Sequence, residues 1–334
     1  MSFTPTTGPR IVPGFGPPHA KLAIVGEALG AEEARQGRPF VGPAGSILEQ
    51  CLHAAGLIRS DCYITNVVKE RPPGNVIDPF YTNAKGFTER GKAYVDSLRE
   101  ELAEVSPNAI VTLGNVATAA LTSVKSVTKY RGYVLAGWEG WKVIPTIHPA
   151  AALRGQYLYR YLISWDLEKA KLESRHSGIR RPPRELITTF SSVQDAVWWV
   201  HEMAKAPRIS VDIEVLNYEI ALIGLSDRPG RAVSIPLADS CWGDPYVELP
   251  LWRAIAELLA NDSVKVFQNG IFDIYFLATK CGLVVNGKLE DTMIAHHLCY
   301  PDLNKSLAFL GSLYCGAQEY WKDMAKFDSI KDED

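Results

Sequence analysis

From Ser174 to Arg184 the chain reads Ser-Arg-His-Ser-Gly-Ile-Arg-Arg-Pro-Pro-Arg, a stretch without apolar periodicity. Its paired prolines suit neither a helix interior nor a central strand. This interruption divides two differently patterned halves, so the chain is expected to fold as two domains, residues 1–174 and 187–334, joined by a linker at 175–186. At 334 residues and 47% hydrophobic, each half can bury a core of its own.

In the front half, after an extended Thr/Pro/Gly-rich arm from Thr4 to Pro18, strand-like runs at Leu22–Val25, Tyr63–Asn66, Ala109–Leu113 and Val143–Thr146 alternate with helix-like stretches. Those stretches are Ala44–Ala55, Lys92–Val105, Val116–Leu121 and Leu158–Leu172. Such alternation predicts an α/β fold, a parallel sheet with helices on both faces. The rear half opens with three apolar runs, Ile209–Val215, Ala221–Leu225 and Ala232–Pro236, followed by a helical segment, Leu251–Leu259, and a strand, Val264–Phe267. Three antiparallel strands followed by helix, strand and helices predict an RNase-H-like core.

Charge separates the halves as well. Residues 1–177 carry 20 basic and 16 acidic side chains, residues 187–334 carry 12 and 21. A basic front suits phosphate contact and an acidic rear suits metal chemistry. The six cysteines form no CxxC or zinc-like spacing, and no secretory signal or long apolar span is present, which points to a reducing, cytosolic setting and away from a membrane.

The motifs of the front half follow its strands. Gly26-Glu-Ala-Leu-Gly30 lies directly after the first strand, where open α/β sheets place their sites. Then come Gly37-Arg-Pro-Phe-Val-Gly-Pro-Ala-Gly45, Tyr63-Ile-Thr-Asn-Val-Val-Lys69, Arg71-Pro-Pro73 and, after the fourth strand, Thr146-Ile-His-Pro-Ala150. Taken singly, each has a plainer reading: Phe40 as core, Asn66 as a strand-ending turn residue, His148 as a structural histidine. In this order, with weaker matches at Val111–Gly114 and Val127–Gly132, they resemble the iron–sulfur (family 4) uracil-DNA glycosylases from about Ile11 to about Leu172.

The resemblance implies uracil excision from DNA. Such chemistry flips the deoxyuridine out of the stack, holds its uracil by shape and edge hydrogen bonds, and stabilises negative charge as the glycosidic bond breaks. Matched residue by residue, it makes Gly26 and Phe40 the wall on which uracil lies, Asn66 the reader of its edge, His148 the donor to its O2, and Glu27 the group that orients water or stabilises the sugar cation. Lys69, Arg71, Lys129 and Arg131 are the candidates for phosphate contact. Leu29 and Ala150 replace the proline and serine of the family pattern, and the cluster cysteines are missing. Glu70 stands after Lys69 and Ala93 near the fourth cysteine position, so no iron–sulfur cluster is expected.

In the rear half, Ser210-Val-Asp-Ile-Glu-Val215 puts Asp212 and Glu214 on one face of a strand. Val266-Phe-Gln-Asn-Gly-Ile-Phe-Asp273 adds a third acid, and Asp291-Thr292 reads as a capped helix start. Hard oxygen ligands in this order suit Mg²⁺ or Mn²⁺. The pattern resembles the DEDD 3′–5′ proofreading exonucleases, in which Asp212, Glu214 and Asp273 would be catalytic metal ligands. The third motif, a Tyr or His followed by an Asp, is expected beyond Tyr320-Trp-Lys-Asp323, whose spacing is wrong, so the exonuclease domain is expected to be incomplete at its C-terminus and weak alone. Together the halves resemble the N-terminal part of phage-type family A DNA polymerases. The expected partners are uracil-containing DNA, single- or double-stranded, and a polymerase domain or chain supplying the missing motif. Two alternatives stand beside the enzyme: an inactive DNA-binding accessory module, and a subunit that docks on a polymerase through an apolar edge near Leu307–Tyr314.

Overall fold

The computed structural model describes residues 10–238, 241–243, 245–316, 320 and 323. Two compact units make up the chain: Met1–Arg181 together with Gly311–Asp334, and Pro182–Leu310. The described residues from Gly311 onward group with the first unit, whereas the sequence pattern placed everything from residue 187 on in the rear domain.

In the first unit, β1 (Leu22–Ala28) leads through α1 (Ala31–Gln36) and α2 (Pro43–Ala54) to β2 (Cys62–Val68). A short hairpin, β3 (Tyr81–Thr82) and β4 (Gly86–Phe87), precedes α3 (Glu89–Val105), β5 (Ala109–Leu113), α4 (Asn115–Leu121) and α5 (Val127–Tyr130). β6 (Leu135–Ala136), β7 (Lys142–Thr146), α6 (Ala150–Leu153) and α7 (Tyr159–Glu173) follow. The sheet order is β2-β1-β5-β7-β6, parallel except for edge strand β6. Every residue of β5 and β7 is buried, as strands covered on both faces require. Ala23, Val25, Ile110 and Val143 pack under α3 and α4, while α7 packs on β5, β7 and α2. β3, β4 and β6 have two residues each, too few for any periodicity to reveal.

The second unit holds β8 (Glu185–Ile187), α8 (Val193–Ala204), β9 (Arg208–Leu216), β10 (Glu219–Arg228), β11 (Arg231–Pro236), α9 (Pro245–Ala260), β12 (Val264–Phe267), α10 (Ile271–Cys281), β13 (Leu289–Asp291) and α11 (Thr292–Cys299). A last helix, α12, spans Leu307–Tyr314. The sheet order is β13-β12-β9-β10-β11-β8, with β9, β10 and β11 antiparallel and β12 parallel to β9. This is the expected three-stranded meander extended by parallel strands. Asn217 and Tyr218, both at positive φ (51° and 65°), turn β9 into β10. Along β9, Ile209, Val211 and Ile213 are buried while Ser210, Asp212 and Glu214 face out. α8 went unforeseen although its signals were present. Ser192 caps it by accepting from the Asp195 N–H, and Val193, Ala196, Val200 and Met203 bury one stripe.

Candidate functional site

Four separate chain segments meet at the carboxyl edge of the first sheet. Glu27 lies near the end of β1, Asn66 inside β2, His148 two residues past β7, and Phe40 in the loop between α1 and α2. All four line one cavity of about 630 Å³, with Arg71 and Arg154 also on its wall. Leu29 and Ala150, the departures from the family pattern, line it too.

Phe40 sits at a positive φ of 52°, unusual for an aromatic residue, and is held there. The Glu33 carboxylate accepts from the N–H groups of Val41 (3.1 Å) and Gly42 (2.8 Å), fixing the chain after the ring. The ring centroid lies 6.0 Å from that of His148, tilted by 34°. Gly26 faces Asn66 and Phe40 so closely that a Cβ there would overlap the amide oxygen of one and the ring of the other. Asn66 is 2% exposed, and its Oδ1 has no hydrogen-bond partner among the described residues. A buried acceptor left open costs about 1–3 kcal/mol, so this position is built for a donor that arrives with a ligand.

His148 is held in one protonation state. The Ala150 N–H donates to its Nδ1 at 3.2 Å, so that nitrogen carries a lone pair and the proton resides on Nε2. Burial, helped by the positive charge of Arg154 and opposed by Glu33, pushes its pKa down to about 4. At neutral pH it is therefore an uncharged N–H donor. Burial raises the pKa of Glu27, and Arg154 moderates the rise.

The phosphate-contact candidates divide. Arg71 is exposed on the cavity wall. Lys69 and Arg131 are corrections, since both point inward. Lys69 is 6% exposed and bonds Thr65 and Glu101, while Arg131 is 3% exposed, paired with Asp166 and donating to Ser312. Lys129 pairs with Asp323 at 3.1 Å. Asp323 also accepts from the Tyr130 hydroxyl, and Tyr320 packs edge-on against Tyr130 and Tyr133. Tyr320 and Asp323 are thus committed to the first unit; residues 324–334, where the third exonuclease motif was sought, lie outside the described residues.

The residues at the cluster positions have the wrong chemistry for iron–sulfur. Glu70, 1% exposed, pairs with Arg90, whose guanidinium lies 4.7 Å from the Phe80 ring centroid. A carboxylate neutralised by a guanidinium cannot replace a thiolate on iron, so the cluster does not fit here.

In the second unit, the Asp273 carboxylate accepts from the Ile213 N–H at 3.0 Å, which sets it beside Asp212 and Glu214. Desolvation, then Asp273 and Glu214, raise the pKa of Asp212 to about 6. Like charges are being held together, the usual prelude to a cation, although among the described residues no three acids yet converge in ligating geometry. Asp291 caps α11 through the N–H groups of Met293 and Ile294 and also accepts from Asn269 and Gly270, fixing the turn that leads to Asp273. Sequence reasoning missed Glu33 and Arg154, whose roles depend on where a helix turn and a loop return in space. No described helix is long and apolar enough to cross a membrane.

Comparison with known proteins agrees with this division. The uracil DNA glycosylase superfamily pattern matches residues 13–169, and a 3′–5′ exonuclease family pattern matches residues 187–333. A type-4 uracil-DNA glycosylase of Thermotoga maritima is 38% identical over 172 residues, 51% of this chain and 85% of that one. Its counterpart in Archaeoglobus fulgidus is 38% identical over 155 residues, 44% of this chain and 74% of that one. A DNA polymerase of Bacillus phage SP01 is 26% identical over 329 residues, covering 87% of this chain and 34% of that protein. With relatives of this identity matched over most of their length, the chain belongs to the uracil DNA glycosylase superfamily, its glycosylase domain followed by a 3′–5′ exonuclease domain.

Proposed function

We propose that the first unit removes uracil from DNA by hydrolysing its N-glycosidic bond. The observation that carries this is the meeting of Glu27, Phe40, Asn66 and His148, from four separate segments, on one cavity. Uracil lies on Phe40. The open Oδ1 of Asn66 accepts from uracil N3–H while its amide NH₂ donates to O4, a pairing cytosine would meet with the opposite polarity. As the bond from C1′ to N1 breaks, its electron pair moves to the base, and the neutral Nε2–H of His148 donates to O2 where that charge gathers. Glu27, kept more basic by burial, takes the proton of the water that adds to C1′. The uracil anion takes up a proton from solvent, which receives the one Glu27 accepted, and the products are free uracil and an abasic sugar.

For the second unit we propose 3′–5′ exonuclease chemistry. Asp212, Glu214 and Asp273 would hold Mg²⁺ or Mn²⁺, which when bound supplies a more acidic water and a counter-charge for the leaving oxygen. The similarity to a phage polymerase supports a role beside DNA synthesis in the cytoplasm, with a polymerase domain or chain as partner, and co-purification tests that partner.

The direct test incubates the protein without metal on a single-stranded oligonucleotide carrying one uracil, then applies alkali. Cleavage at the uracil that vanishes in His148→Ala and Glu27→Ala supports the reading. Tight binding without an abasic product would reduce the first unit to an accessory DNA-binding module.

A further inference from the structure

A second cavity of about 440 Å³ lies beyond Glu27 and His148, sharing both with the first. Its walls include apolar Ile77, Val116 and Ile147, and among its several polar residues are Tyr81, Asn83 and Asn115. Among the described residues that line it, none is Lys or Arg, and Asp78 is present, so a phosphodiester would be repelled. What suits such walls is a neutral, flat group with donors and acceptors on its edge.

Tyr81 gives the sharpest pointer. It is 2% exposed, and its hydroxyl has no hydrogen-bond partner among the described residues. The ring cannot easily swing to find one. It packs edge-on against Phe87 at 4.8 Å between centroids, and its strand is pinned to β4 through Tyr81–Phe87 and Thr82–Gly86 pairing. Asn115 adds an oriented amide, because its Oδ1 accepts from the Val127 N–H at 2.9 Å and its NH₂ remains as the donor. A fixed, buried, unsatisfied hydroxyl and a directed amide donor in one cavity are the parts of a recognition subsite, and nothing in the excision chemistry uses them.

The geometry points to a second subsite, beyond Glu27 and His148, that receives a nucleobase adjacent to the excised uracil and reads its edge through the Tyr81 hydroxyl. This rests on the uracil-excision reading. A base extruded with its neighbour leaves the stack at a cost that the subsite offsets, so excision should depend on which base stands beside the uracil.

The experiment is a two-by-two cycle with the full chain. Excision kcat/KM is measured for wild type and Tyr81→Phe on a single-stranded oligonucleotide with a normal neighbour, and on one where the neighbour on either side is a base-free tetrahydrofuran sugar. The expected result is a loss of about tenfold from removing one neighbour base, a similar loss from Tyr81→Phe, and little further loss from both together, the signature of a shared contact. Losses that multiply on both sides of the uracil would overturn the subsite. Because the hydroxyl makes no hydrogen bond among the described residues, Tyr81→Phe should leave the melting temperature unchanged or raise it; a lowered value would mark a structural role instead. Asn83→Ala gives an independent second variant. If wild type excises nothing, the excision reading fails on its own, and the same cycle read by fluorescence anisotropy still decides the subsite: coupled binding losses support it, uncoupled losses overturn it.

Discussion

His148 can hydrogen-bond to a departing uracil because a backbone N–H has fixed its tautomer and burial has removed its charge. Replacing it by Ala should lower kcat about 10²–10³-fold with KM little changed, the range seen when one donor to a developing oxyanion is lost. Arg154 offers a test of sign. Its positive charge lowers the pKa of both Glu27 and His148, with Glu33 pulling His148 the other way. Activity requires Glu27 deprotonated and His148 neutral, so Arg154→Ala should move the acid limb of the pH–rate profile to higher pH, measured as kcat/KM against pH; a limb that stays or moves down contradicts the electrostatic picture. Gly26→Ala should fold yet lose most activity, since the added carbon displaces both Asn66 and Phe40, and excision assays beside a melting curve separate those effects. Glu27, Asn66 and His148 were legible in the sequence because each stands in or just past a sheet strand within a motif, and Phe40 because it lies in the glycine-rich motif that follows. Glu33, Arg154 and Tyr81 were not, because a helical glutamate, a loop arginine and a two-residue strand carry no pattern that says where they return in space.

Elements explain the basic residues that were misread. Lys69 continues the path of β2 and meets Glu101 on α3, which ties that helix to the sheet, while Arg131 follows α5 and meets Asp166 on α7, which ties the end of one helix to the other. Reading Lys and Arg as surface groups fails where a helix supplies the counter-charge, and the sequence separation of 35 residues between Arg131 and Asp166 hides that pairing. Asp166→Ala should therefore cost about 3–5 kcal/mol, because it breaks a buried ion pair by removing one partner. Denaturant unfolding checks this, and replacing both residues with apolar ones of similar volume should recover much of the loss. By the same logic the pairing of Glu70 with Arg90 ties the segment after β2 to α3. The sequence could show that the cysteines were gone, but not that an ionic and aromatic contact had taken their place.

Across the whole molecule, the contrast between a basic front and an acidic rear corresponds to two different chemistries. The reaction proposed for the first cavity uses an imidazole, an amide, an aromatic ring and the Glu27 carboxylate, whereas the second unit sets Asp273 beside Asp212 and Glu214, with the pKa of Asp212 raised to about 6. Neutral hydrogen-bond donors need no cation, while clustered carboxylates acting on phosphodiesters do. Chelation should consequently separate the two activities. With EDTA, abasic-site formation on a uracil oligonucleotide should continue at an unchanged rate, while any shortening from the 3′ end should stop, return with Mg²⁺ or Mn²⁺, and fail to return in Asp212→Ala. One labelled oligonucleotide reports both events on one gel. If EDTA abolished uracil excision as well, the division of labour between the units would be wrong, and the first cavity would have to depend on a cation that its lining residues give no reason to expect.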